Sequence, residues 1–265
     1  MDIRVIIVLV MNFIITLIGT LGYSVRLVGV RTGKIAISFA LFNIVMLVSR
    51  IAVSIQTPVL TSYVEFSTNS FEVLKVFYII IVISTIATIV GAFLIPTFQK
   101  ILAKGVIAFS VDKSVSKIVL HGFSKAGVKH IKNSIAIPVK ESVTSIEFKK
   151  LPKKLLLTNA IIVAISTAGA LSPIYAGMLA PSYGRTCLAL AGIINGIATL
   201  LLTMFTDPHL SIMTDDVIDG RKSPEEFRTC VIGMVGSKAI GTLMSVTLLV
   251  PAAYIIVYVA GIIKG

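Results

Sequence analysis

Six stretches of this chain are each apolar over about 20 residues, the length of helix needed to cross ~30 Å of hydrocarbon at ~1.5 Å per residue. They cover roughly residues 3–23, 35–57, 74–98, 155–179, 186–206 and 230–262. Hydrocarbon offers no partner to a backbone amide, so such segments must be helices that satisfy their own N–H and C=O groups. The expected fold is an all-α integral membrane protein of about six transmembrane helices. Composition agrees: hydrophobic residues make up 56% and charged residues 14%, whereas soluble domains carry about 25% charge. Pro251 predicts a kink or break in the last span, and Pro173 with Pro181 an irregular end to the fourth.

A formal charge of +12 would suggest nucleic acid in a soluble chain. Here the Lys and Arg fall between apolar stretches, so the excess reads as topology and contact with membrane lipids, with no nucleic-acid partner. Eighteen of the 24 basic residues lie in the loops after the first, third and fifth spans, including twelve lysines between Gln99 and Lys154. Arg4, Lys75, Arg185 and Lys264 occupy the opposite face, and Arg50 and Lys238 lie within spans. The basic face is therefore expected in the cytoplasm and both termini outside. The opening apolar run lacks an A-x-A-like cleavage pattern, so it is expected to be a retained first helix.

Residues 1–98 thus form transmembrane helices 1–3, and 155–265 helices 4–6. Between them, 99–154 is a basic segment in which Val111, Val115, Ile118, Val119 and Phe123 recur at near-helical spacing among Lys113, Lys117 and Lys125. Amphipathic helices on the anionic inner leaflet and a small cytoplasmic helical subdomain both fit that pattern. Residues 207–228 read as a loop whose end, Ser223-Pro224-Glu225-Glu226, is a capping box starting helix 6 early. The halves echo each other: Asn12 and Gly22 against Asn159 and Gly169, Ser70-x-Glu72 against Ser223-x-Glu225, Pro96 against Pro251. Three helices per half would make a true repeat inverted in the membrane, as in many secondary transporters; chance alignment of apolar helices is the alternative.

Ionisable groups inside a span cost ~2.5–3.5 kcal/mol on insertion scales, so Arg50 and Lys238 call for a partner or a wet cavity. Counted from the basic face, Arg50 lies ~22 Å into helix 2 and Lys238 ~12 Å into helix 6. With Arg26 and Arg31 at the mouth they form a ladder of positive charge suited to handing an anionic group across, Arg gripping phosphate with two N–H groups at once. Snorkelling, or contacts to helix-end carbonyls, would account for each cation equally simply. The amides Asn12, Asn43, Gln56, Asn159 and Asn195 suit interhelical hydrogen bonds first and a polar headgroup second.

Asp215-Asp216-Val217-Ile218-Asp219 has the D-D-x-x-D form that holds magnesium against a diphosphate, although one copy next to Arg221 and Lys222 favours local ion pairing. His121, His130 and His209 fall in loops, and no H-E-x-x-H, G-x-S-x-G or Walker A pattern occurs. Neither a catalytic motif nor a cofactor site is expected. Cys187 and Cys230 start consecutive spans, on opposite membrane faces, and should stay unpaired.

Several blocks together carry a family resemblance: Gly29-Val30-Arg31-Thr32-Gly33, Leu41-Phe42-Asn43, Ser49-Arg50-Ile51-Ala52, Gln56-Thr57-Pro58, Gly192-Ile193-Ile194-Asn195-Gly196-Ile197-Ala198-Thr199, Asp207-Pro208, Thr214-Asp215, Ser237-Lys238-x-x-Gly241-Thr242 and Pro251-Ala252-Ala253. The chain resembles the Amj (YdaH-like) family, bacterial lipid II flippases that serve as the alternate to MurJ. That resemblance implies a protein of the bacterial cytoplasmic membrane that moves lipid II, the undecaprenyl-diphosphate-linked disaccharide-pentapeptide, to the outer leaflet without chemistry. It makes Arg26, Arg31, Arg50 and Lys238 the expected diphosphate contacts, and Asn43, Gln56 and Asn195 headgroup contacts. Lys238 stands where Arg would be expected, and Lys offers only a point charge. A membrane enzyme processing a prenyl diphosphate through Asp215, Asp216 and Asp219, or a small-anion transporter, are the competing expectations. Six helices enclose little space, which favours a homodimer.

Overall fold

The computed structural model describes residues 2–112, 134–136 and 151–264. Among them there are eight α-helices and no strands: α1 Ile3–Leu21, α2 Val25–Thr32, α3 Ile35–Glu65, α4 Ser70–Asp112, α5 Lys153–Leu179, α6 Gly184–Leu201, α7 Asp207–Ile218 and α8 Pro224–Lys264. A 3-10 turn joins α1 to α2, and a π turn over Leu202–Thr206 joins α6 to α7, leaving six segments long and apolar enough to span a membrane. The amphipathic helices expected beyond Val111, with His121 and His130, lie outside the described residues.

Three expectations need correction. Residues 207–218 are helix rather than loop, with His209 inside it. Leu210, Thr214 and Val217 form its buried stripe against α2 and α8, while Ile212, Asp215 and Ile218 face outward. Pro251 neither breaks α8 nor divides it, and Pro173 lies inside a continuous α5; the irregularity comes only at Ala180 and Pro181. The start of α8 is as expected, with Pro224 first and Ser223 Oγ accepting the Glu226 N–H at 3.2 Å.

Two sharp reversals use the same chemistry. Gly33 (φ 66°) ends α2, its N–H donating to Val30 O at 3.3 Å and that of Lys34 to Gly29 O at 3.0 Å. Gly220 (φ 71°) ends α7, its N–H reaching Val217 O at 3.2 Å and that of Arg221 reaching Asp216 O at 2.7 Å. Both are Schellman turns, whose left-handed residue is almost always glycine because it has no Cβ to clash.

In the first half α1 packs on α3 and α4; in the second α5 packs on α6 and α8; α4 and α8 then join the halves. A buried asparagine pins each half. Asn12 donates to Ser84 Oγ at 2.7 Å and Ile80 O at 3.1 Å on α4. Asn159 donates to Ser237 Oγ at 2.7 Å and Met234 O at 3.2 Å on α8. In each case the serine hydroxyl also donates to that same carbonyl.

The apolar core is continuous at the end holding the N-terminus, where Val5, Val8, Leu60, Phe77, Leu171, Cys187 and Leu249 from both halves pack in one cluster. At the basic end it divides. One cluster belongs to the first half, around Val25, Val28, Phe42 and Val106; the other gathers Leu155, Leu210, Phe227 and Met234 of the second half around Leu27 of α2. Helix α2 is thus the element shared by the two.

Candidate functional site

Lys238 extends from α8 across to α1, where its ammonium donates to Thr20 Oγ1 at 3.0 Å and Thr16 O at 3.3 Å and lies 5.9 Å from the centre of the Tyr23 ring. No carboxylate among the described residues pairs with it. Neutral oxygens satisfy two of its three N–H donors without cancelling its charge. One turn away Tyr23 OH donates to Asn159 Oδ1 at 3.2 Å, so the Met234–Lys238 stretch is bound through side chains to α1 and α5 together. Both cysteines are buried and free, as expected.

Arg50 stands differently. It is exposed near the middle of the 31-residue α3, and its guanidinium has no hydrogen bond or ion pair with a described residue. Asn43, Ser54 and Thr57 of the same helix are exposed as well. On α6, the span with the least burial, Asn195 and Thr199 are exposed, the threonine hydroxyl donating to the Asn195 carbonyl at 2.8 Å. Polar side chains thus lie on open faces of α3 and α6; a guanidinium left bare in hydrocarbon would be costly.

Arg26 and Arg31 share α2 but not an environment. Arg31 is exposed and donates to Gln99 Oε1 at 3.2 Å. Arg26 is half-buried: it donates to Ser211 Oγ at 3.0 Å, approaches Asp207 Oδ1 at 3.6 Å and lies 5.2 Å from the Phe39 ring centre. Gln56, expected at the headgroup, instead donates to Asn12 Oδ1 at 3.4 Å. The four cations therefore do not converge on one point but occupy separate stations.

Sequence reasoning missed Asp207, Ser211, Thr16, Thr20 and Tyr23. Asp207-Pro208 carried a usable signal, since Pro in the first turn marks a helix start; the others had none. Of the D-D-x-x-D carboxylates, Asp216 pairs with Lys222 at 2.9 Å and Arg221 at 3.1 Å, and Asp219 with Arg221 at 2.8 Å. Both oxygens of Asp216 and one of Asp219 are thus occupied by cations of their own loop. At the opposite end Arg4 binds Asp2 at 2.7 Å and donates to Ser62 O at 3.3 Å, which holds the Asp2 carboxyl below its ordinary pKa and fastens α1 to α3.

Similarity to known proteins extends over most of the chain, from Met11 to Ala260. The family model described as Amj, alternate to MurJ, matches residues 11–260. A Bacillus subtilis (strain 168) protein named lipid II flippase Amj is 35% identical over 244 residues, 91% of each chain. No solved structure matches.

Proposed function

The chain belongs to the Amj family, and from that premise we propose that it is a lipid II flippase, carrying the undecaprenyl-diphosphate-linked precursor from the inner to the outer leaflet of the bacterial cytoplasmic membrane. It is a transporter, and the lipid leaves it chemically unchanged. The observation that carries this reading is Lys238: an ammonium inside the bundle, between the two halves, with no neutralising carboxylate among the described residues. A diphosphate can supply what Thr16 and Thr20 do not, a counter-charge.

The split core suits the same task. Its divided end is the basic one, which by the excess of Lys and Arg faces the cytoplasm and leaves both termini outside. A headgroup entering there meets Arg31 and Arg26 first, then Lys238, with Arg50, Asn43 and Asn195 on the open faces of α3 and α6, while the polyprenyl tail stays in lipid. The matched asparagine pins support reading the halves as an inverted repeat. An inside-negative potential favours outward movement of negative charge by ~2.3 kcal/mol per charge per 100 mV, so transport needs no fuel motif. A second copy would find its surface on α6, where Gly192 and Gly196 are open to close helix contact.

The test is Arg50→Ala in cells depleted of other lipid II flippases. Growth should fail while the protein accumulates to normal levels; normal growth would remove Arg50 from the route.

A further inference from the structure

The π turn between α6 and α7 holds the one buried side-chain polar atom that lacks a hydrogen-bond partner among the described residues. A π turn breaks the regular i→i−4 pattern and recurs at functional sites. Here it is followed, after Asp207, by Pro208, which has no N–H to donate. Within it, Thr206 is 1% exposed and its Oγ1 is buried without a hydrogen-bond partner. A buried hydroxyl left unpaired favours any rearrangement that gives it one.

Just beyond this turn Asp207 meets Arg26 of the other half. The pair is loose: one guanidinium nitrogen at 3.6 Å from one carboxylate oxygen, with the Asp207 side chain 47% exposed. Such half-solvated, single-point pairs are weak. Arg26, by contrast, is well placed, with Ser211 on one side and the Phe39 ring on another. Its planar fork could accept a phosphate through two N–H groups.

We propose that Asp207 is a stand-in for the substrate's diphosphate: in the empty protein it occupies Arg26 and holds α7 against α2, and an arriving prenyl diphosphate displaces it, letting α7 swing about Leu202–Thr206 to open the basic end. This rests on the flippase reading and adds to it a residue that senses the headgroup. Displacement is favourable because a dianionic, bidentate ligand replaces a monodentate carboxylate. The turn about which it swings departs from the regular helical pattern and holds an unpaired buried hydroxyl, Thr206 Oγ1. Among the described residues α2 is the only element shared by the two basic-end clusters of the core, and Arg26 also holds Ser211 of α7, so releasing Asp207 removes one of the links between α7 and α2.

Spin labels on Ala36→Cys and Ile218→Cys, both exposed positions, read the α3–α7 separation by pulsed electron–electron resonance in the full chain reconstituted in liposomes; Cys187 and Cys230 are buried from the label. Without ligand the parent chain should give one short-distance population, and undecaprenyl diphosphate in the bilayer should move a fraction of it to longer distance. Asp207→Asn should show that longer population with no lipid added, whereas Asp207→Glu should keep the short one. Arg26→Gln breaks the pair from its other side and should open α7 likewise, serving also where Asp207→Asn folds poorly. Distances in Asp207→Asn and Arg26→Gln that match the parent would overturn the proposal. So would a parent chain that retains radiolabelled undecaprenyl diphosphate without any shift, an outcome that leaves the flippase reading standing. A parent that neither retains the lipid nor shifts overturns both.

Discussion

Asn12 and Asn159 do the same job in the two halves with different thoroughness. Each runs from the first membrane-spanning segment of its half to a serine and a carbonyl on the third, α4 or α8, at matching distances. Their remaining oxygens part company. Asn12 Oδ1 accepts a long 3.4 Å bond from Gln56 of its own half, whereas Asn159 Oδ1 accepts from Tyr23 of the opposite half at 3.2 Å. Asn159 is fully buried; Asn12 is 9% exposed. A repeat can keep its internal pin twice and still spend the spare acceptor differently, once to finish a half and once to fasten two halves together.

The sharpest way to break this comparison is at the packing that the second pin serves. A Cβ added at Gly241 would run into the Ala160 carbonyl, backbone against backbone, so no side-chain rotation relieves it. Gly241→Ala should force α5 and α8 apart and lower unfolding stability in detergent by about 3 kcal/mol, at the upper end of overpacking costs. Next come the pins themselves. Asn159→Ala leaves Tyr23 OH unpaired and removes two donated bonds, so a loss of about 2 kcal/mol is expected, against about 1 kcal/mol for Asn12→Ala. Chemical denaturation of both variants side by side should rank them in that order, and equal losses would refute the distinction drawn between the halves. The smallest effect has the opposite sign. Thr206→Val removes the orphaned hydroxyl while keeping the shape, and should raise stability by about 1 kcal/mol while slowing transport if the π turn must flex.

Much of the fold was legible because one signal dominates it. Apolar runs of spanning length gave six segments, and the capping box at Ser223 located the start of α8. The echo between Asn12 and Asn159 was visible because a polar amide stands out in an apolar field. What stayed hidden depended on packing rather than on order along the chain. Asp207 lies in the half opposite Arg26, and its acidic surroundings read as loop because the buried stripe of α7 is only Leu210, Thr214 and Val217. Lys238 stood out as a buried cation, but nothing local identifies Thr16 and Thr20 as its partners. Arg50 was equally conspicuous; its outward direction was not legible, since α3 carries one polar row at Asn43, Arg50, Ser54 and Thr57 and another at Ser38, Ser49 and Gln56, and the sequence does not say which faces out.

The five-residue stretch from Met234 to Lys238 is gripped by α5 on one side and α1 on the other. Close to that stretch neither half can slide past its neighbour without breaking bonds, while at the basic end, where the core is in two pieces, the halves are held by Arg26 on Ser211 and Asp207 and by Leu27. Sliding of α8 along α1 at this level would cost the Lys238 bonds to Thr16 and Thr20 together, so the place of that ammonium is set by both halves at once.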